Sequence, residues 1–265
     1  MTIFTIGRYI STLIAAAVLL AGCGGSQPAL PPARANPDQS ETPLIQAYHV
    51  VHEFGEAAGD GTNPRAEVIV VKGTLYGTTF SGGTNNDGTV FALTKSGQEK
   101  VLHSFGASGD GSQPAARLVA DNGTLYGTTV EGGANNSGAI FSVTRSGEEK
   151  VLYSFPFSAN AGAQPWAGLI DVNGALYGTT YQGGDDSCGS GGCGSVFSIT
   201  PAGSEKLLYS FGTHAGDGVN PLAALIDVDG VLYGTTAYGG EYKRGTVFAI
   251  SKAGKERIVY NFGKS

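Results

Sequence analysis

The pentapeptide Leu-Tyr-Gly-Thr-Thr occurs four times in this chain, with its tyrosine at Tyr76, Tyr126, Tyr177 and Tyr233, at spacings of 50, 51 and 56 residues. Repetition at this interval means supersecondary units that cannot bury their apolar faces singly and must stack to form a core. Other strings keep the same period. A run of the type Val-Leu-Tyr-Ser-Phe ends at Phe54, Phe105, Phe155, Phe211 and Phe262, and a run of the type Gly-Thr-Val-Phe carries Phe91, Phe141, Phe197 and Phe248. Pro64, Pro114, Pro165 and Pro221 each open an apolar stretch ahead of the pentapeptide. Each unit thus holds four short runs rich in β-branched and aromatic residues, bounded by turn residues, which reads as four strands. Asn122-Gly123, Asn173-Gly174 and Asp229-Gly230 sit just before three of the pentapeptides and signal tight hairpins.

Composition removes the competing classes. Glycine supplies 43 of 265 residues and charged residues only 14%. So much glycine opposes long helices, its lack of a three-residue period excludes collagen, and low charge with 9% aromatics excludes a disordered polyelectrolyte. The expected fold is all-β: a β-propeller of four ~50-residue four-stranded repeats over residues 47–265. The Val-Leu-Tyr-Ser-Phe run occurs five times and the other strands four, so a strand from the far end of the chain is expected to close a four-bladed ring, leaving one copy surplus. The alternatives are five blades built from split halves, a ring completed by a second chain, and a β-solenoid. The glycine of the pentapeptide is expected on an inner strand, where blades crowd near the axis.

The N-terminus reads as a targeting segment. Arg8 precedes an apolar run from Ile10 to Ala21. That run is too short for the roughly 20 residues of a membrane-spanning helix and fits a signal-peptide core. It ends in Leu20-Ala21-Gly22-Cys23, which resembles the lipobox of bacterial lipoproteins. The resemblance implies cleavage after residue 22 and a lipid anchor on Cys23, with stable insertion from more than one acyl chain. Residue 24 is glycine, not the aspartate that retains lipoproteins in the inner membrane of enteric bacteria, which points to the outer membrane. Residues 23–46 carry Pro28, Pro31, Pro32, Pro37 and Pro43 and read as a tether. Loss of residues 1–22 removes one cation and no acid from a chain of net charge −6. An acidic body with no Lys/Arg cluster lacks the electrostatic footprint of nucleic-acid binding.

The repeat as a whole, Gly-Asp-Gly-x-Asn-Pro through Leu-Tyr-Gly-Thr-Thr and Gly-Thr-Val-Phe to Val-Leu-Tyr-Ser-Phe, resembles the GloVer tandem repeat, named for Gloeobacter and Verrucomicrobia. The match covers residues 47–265. The resemblance implies propeller blades on exported proteins with varied anchors, and neither a catalytic activity nor a ligand. The third copy departs from the pattern: it reads Ser-Ala-Asn-Ala-Gly-Ala-Gln-Pro, with no aspartate in the loop.

Few residues stand out as chemistry. Cys188 and Cys193 share one short loop, which in an oxidising compartment reads as a disulfide rather than as half a zinc site with Asp185 and Asp186. His52 and His103 occupy a slot that holds Tyr153, Tyr209 and Tyr260 in other copies, so they read as packing positions with a polar tip. His49 and His214 stand alone. Asp60, Asp110 and Asp217 read as turn formers, since one carboxylate per loop is too few for calcium. Tyr76, Tyr126, Tyr177 and Tyr233 are either core residues or an aromatic ring lining a ligand pocket, and Trp166 is a further candidate contact. No metal, cofactor or catalytic residue is expected, and the signatures of serine hydrolases, zinc proteases and nucleotide-binding loops are missing. The acids outside the repeat pattern are Glu53, Glu67, Glu131, Asp185, Asp186 and Glu241. The expectation is therefore an envelope lipoprotein displaying a binding module for carbohydrate or envelope protein. A polysaccharide hydrolase or lyase and a purely structural protein are the alternatives.

Overall fold

The computed structural model describes residues 49–263 apart from residues 157, 159, 160 and 190. The signal segment, Cys23 and the tether lie outside the described residues. The body, His49 onward, forms one compact unit. It is all-β but for one three-residue 3-10 turn at Asp186–Cys188.

Each repeat forms one antiparallel sheet built on four strands in chain order, and in the fourth the connector strand Gly218–Pro221 joins as a fifth by pairing with the far end of the pentapeptide strand. The first holds β1 (Ile69–Val71), β2 (Thr74–Thr79), β3 (Thr89–Leu93) and β4 (Glu99–Ser104). The second holds β5 (Val119–Asp121), β6 (Thr124–Thr129), β7 (Ala139–Thr144) and β8 (Glu149–Ser154). The third holds β9 (Ile170–Val172), β10 (Ala175–Thr180), β11 (Ser195–Ile199) and β12 (Glu205–Ser210). The fourth holds β13 (Ile226–Val228), β14 (Val231–Gly239), β15 (Thr246–Ser251) and β16 (Glu256–Asn261). The expected hairpins form with both central residues at positive φ, as at Asn122 (47°) and Gly123 (86°), the geometry whose twist suits a two-residue turn. In the first three repeats the incoming connector pairs, outside the sheet, with the loop after its own pentapeptide, for example Gly61–Thr62 with Ser81–Gly82.

The pentapeptide strand is the second in its sheet, and the reason for its glycine differs from the expected crowding at an axis. A Cβ on Gly77 or Gly178 would lie 2.6 Å from the ring of Phe91 or Phe197 on the neighbouring strand. The missing side chain is the slot for that phenyl ring. In all four sheets the register then slips by one residue at this phenylalanine, as between Val90 and Phe91. Such a bulge re-aims the residues around it, and the residue left over on the outer strand, Leu102 in the first sheet, joins the core shared with the second.

The sheets stack face to face through these rings. Phe105 meets Phe141 at 4.9 Å, Phe155 meets Phe197 at 5.4 Å and Phe211 meets Phe248 at 5.0 Å, centroid to centroid. All six are inaccessible to solvent or nearly so, and burying each contributes roughly 1.5–3 kcal/mol. Closure of four blades on themselves is not what the described residues show. The slot before the first sheet is taken by His52–Phe54, with Phe54 at 4.9 Å from Phe91. The last ring in the series, Phe262, is 42% exposed, and Ile226 on the same face is 61% exposed. The surplus copy at residues 52–54 therefore fills the slot before the first sheet without forming a strand, and the ring at the far end of the series, Phe262, stays exposed.

Candidate functional site

Of the residues singled out in the sequence, Cys188 and Cys193 form the expected disulfide, with Cα atoms 5.2 Å apart. Asp185 caps the intervening turn by accepting the Ser187 amide. The neighbouring Ser187 side chain, and then this amide, hold its carboxyl below the usual range. Cys193 is fully buried, and its carbonyl accepts the Asn220 amide of the next connector at 2.8 Å. The loop is thus part of the junction between the third and fourth sheets.

The four pentapeptide tyrosines do not form one ring around a pocket. Tyr76, Tyr126 and Tyr177 are buried, each in a different inter-sheet cluster. Tyr233 is half-buried on the outer face of the fourth sheet.

Trp166 is not isolated. It follows Pro165, whose ring is fixed against Gly138 of the preceding sheet, and lies stacked on Phe80 with 6.2 Å between centroids and 17° between planes. Phe80 directly follows the first pentapeptide, and the Arg65 guanidinium lies 3.5 Å from its ring centre. Two aromatic rings and a cation from the first and third repeats therefore meet where connectors cross the loops after the pentapeptides. Trp166 and Phe80 are half-buried and Arg65 exposed. Two residues before Trp166, Gln164 lines a cavity of about 290 Å³ with Asn136, Ser137 and Gln182. In the second repeat Gln113, the counterpart of Gln164, donates its amide to Glu131 at 3.1 Å. The arrangement offers the half-buried Trp166 ring, backed by Phe80 and its covering guanidinium, and, two residues away in the chain, an amide-lined cavity.

A larger set of polar groups went unread in the sequence. The first residue of every outer strand is a glutamate: Glu99, Glu149, Glu205 and Glu256. Each lies beside the His or Tyr of the preceding repeat's outer run and, in three copies, beside the loop aspartate. The ligating atoms of His52, Asp60 and Glu99, of His103, Asp110 and Glu149, and of His214, Asp217 and Glu256 lie within 4.8 Å of one another. His103 Nε2 is 2.8 Å from Asp110 Oδ2, and the Tyr209 hydroxyl donates to Asp217 Oδ2 at 2.8 Å. Asp217 also accepts the amides of Gly212, Thr213 and Gly218. The aspartates are turn formers, as expected, and they also anchor a hydrogen-bonded node between successive sheets. Burial, and then the nearby aspartate, push Glu149 and Glu256 up to about 7, against the weaker opposing effect of a histidine. In the third copy Ala161 replaces the aspartate, and Glu205 is raised by burial alone while the Tyr153 hydroxyl lowers it. A signal was available, the same acid at the same place in four repeats, but its partners lie a whole repeat away. These nodes could offer three donors each to a metal. That is short of the six to eight oxygens calcium takes, and in all three the aspartate already bonds to another member of the node or to backbone.

Several solved structures resemble the chain at low identity. A streptogramin B lyase aligns with 75% of this chain and 54% of its own length at 15% identity, TM-score 0.49. The virginiamycin B lyase of Staphylococcus aureus aligns with 74% and 55% at 12% identity, TM-score 0.47. PorZ, a bacterial surface component of the type-IX secretion system of Porphyromonas gingivalis, aligns with 78% and 28% at 18% identity, TM-score 0.49. The chain spans about half the length of the two lyases. No curated protein sequence matches it. The model of the Gloeobacter/Verrucomicrobia repeat matches residues 40–190 and again residues 156–265, which together take in every repeat described above. The chain belongs to the Gloeobacter/Verrucomicrobia repeat family.

Proposed function

We propose that this protein is an exported, lipid-anchored module whose propeller-type body binds carbohydrate, without cleaving it, on the loop face that carries Trp166. The observation that carries the reading is the Trp166–Phe80–Arg65 cluster, together with the amide-lined cavity at Gln164, two residues before Trp166. A sugar ring presents an apolar C–H face flanked by hydroxyls. A flat aromatic surface covers the first, and neutral amides, which both donate and accept, pair with the second. The disulfide supports an oxidising compartment. The lipobox-like Leu20-Ala21-Gly22-Cys23 and the proline-rich tether support display from a membrane, and Gly24 favours the outer one.

The non-catalytic part of the reading rests on where the acids lie. A glycosidase uses two carboxylates placed on either side of one bond. The close acid pairs found here recur in three repeats and are tied into the junctions between sheets, which suits a structural role in each.

The test is a glycan array and an envelope-protein pulldown with the full chain, run beside Trp166→Ala. The expected result is a reproducible glycan signal that falls at least tenfold in the variant, with no release of sugar from bound glycans. Capture of an envelope protein with no glycan signal would replace carbohydrate by protein as the ligand. Cleavage of any bound glycan would overturn the non-catalytic reading.

A further inference from the structure

The three junctions inside the chain use one set of contacts. The hydroxyls of Thr78, Thr128 and Thr179 donate to the carbonyls of Ala116, Ala167 and Ala223 in the next repeat. The amides of Gln113, Gln164 and Asn220 donate, each at 2.8 Å, to the carbonyls of Asp87, Ser137 and Cys193 in the repeat before. Pro114, Pro165 and Pro221 lie against Gly88, Gly138 and Gly194, which have no side chain to obstruct them. The phenylalanine pairs complete the set.

Each half of that set occurs once more without its counterpart. On the fourth sheet Thr235 is exposed, where the three equivalent threonines are buried, and so are Ile226 and Phe262. On the first sheet Pro64 is exposed, where the other three prolines are buried, and Val68 is exposed where Leu118, Leu169 and Leu225 are buried. The backbone there is already in the receiving conformation. Asn63 has φ 56°, as Gln113, Gln164 and Asn220 have 60°, 53° and 56°.

We propose that these two faces bind each other between copies, so that two chains close head to tail into one ring of eight sheets. The occupant is a second copy because the exposed halves reproduce, position for position, the two sides of an interface this chain already makes three times. Both are exposed in one chain, so they do not meet within it. Head-to-tail contacts close when the rotation per unit permits. Propellers typically have about four to eight blades, which admits two copies and excludes three. At each joint Phe262 of one copy takes the place of Phe54 against Phe91 of the other, and Tyr260 takes that of His52 beside Glu99. The displaced segment makes no ladder among the described residues, whereas β16 is hydrogen-bonded along its own sheet. The incoming strand is therefore ordered in advance, and little entropy is lost on exchange.

The experiment uses the full chain in detergent, with its mass measured by sedimentation equilibrium. Thr235→Cys and Ala66→Cys are introduced together and treated with a short bis-maleimide, with the single-substitution chains and the unsubstituted chain as controls. The expected results are twice the chain mass, covalent dimers only when both cysteines are present, and a dimer fraction reduced at least tenfold by Phe262→Asp. A monomeric mass without crosslinked dimers overturns the proposal, even if the Phe262 variant fails to fold. A crosslink within one chain overturns it in favour of a self-closed ring, and a ladder of trimers and larger species in favour of an open filament.

Discussion

At the scale of single residues the repeat is held by pairs in which one side chain exists because another is missing. Gly127 leaves room for the Phe141 ring, and a methyl group there would overlap it. Gly127→Ala is expected to destabilise the protein by about 1–3 kcal/mol, the usual range for overpacking a filled core. Adding Phe141→Leu should recover part of that loss, and denaturant titration of the two single variants and the double variant measures the coupling. The glycine was visible in the sequence, but its reason was not. Its partner lies on the adjacent strand, and only the register brings the two together. The half-buried glutamates make the second residue-scale prediction. A carboxyl near 4.5 when unfolded and about 7 when folded binds its proton more tightly in the native state. Its stabilising contribution is full below about 4.5 and is lost as pH rises through 7. Thermal midpoints should therefore fall between pH 5 and pH 8 in the native protein, and fall less in Glu149→Gln/Glu256→Gln. An equal fall in both proteins would remove the glutamates as the cause.

At the scale of elements, most strands and turns were legible because each run of alternating or β-branched residues is bracketed by Gly, Asn or Asp. The two-residue ladders, such as Gly111–Ser112 with Glu131–Gly132, were not. A pair of residues carries no periodicity, and its partner comes from a loop. The Cys188–Cys193 loop was read as a local staple and proves to support a junction as well, because the Cys193 carbonyl receives the Asn220 amide. Closing so short a loop contributes about 2 kcal/mol in the chain-entropy model. Reduction, or Cys188→Ser/Cys193→Ala, should cost at least that much. Faster hydrogen exchange at the Asn220 amide is expected to accompany it. A loss of stability without that local change would mean the disulfide acts only on the unfolded chain.

At the scale of the whole molecule, the sequence supplied the number of repeats and their strand order but not their closure. Strings count strands, whereas closure depends on the angle between successive sheets, which no single repeat encodes. The same limit applied to the candidate site. Trp166 could be singled out as an aromatic without a counterpart in other repeats, but Phe80 and Arg65, which belong to a different repeat, join it only once the sheets are stacked. This tryptophan is the only one in the chain, so intrinsic fluorescence reports on the proposed binding face without a label. The most direct measurement is a titration of the full chain with the oligosaccharides retained on the array, following tryptophan emission, with Phe80→Ala in parallel. The account predicts a saturable change in emission at the affinity seen on the array, weakened at least tenfold in the variant. Binding that leaves the emission of Trp166 unchanged, or that Phe80→Ala does not weaken, would contradict it.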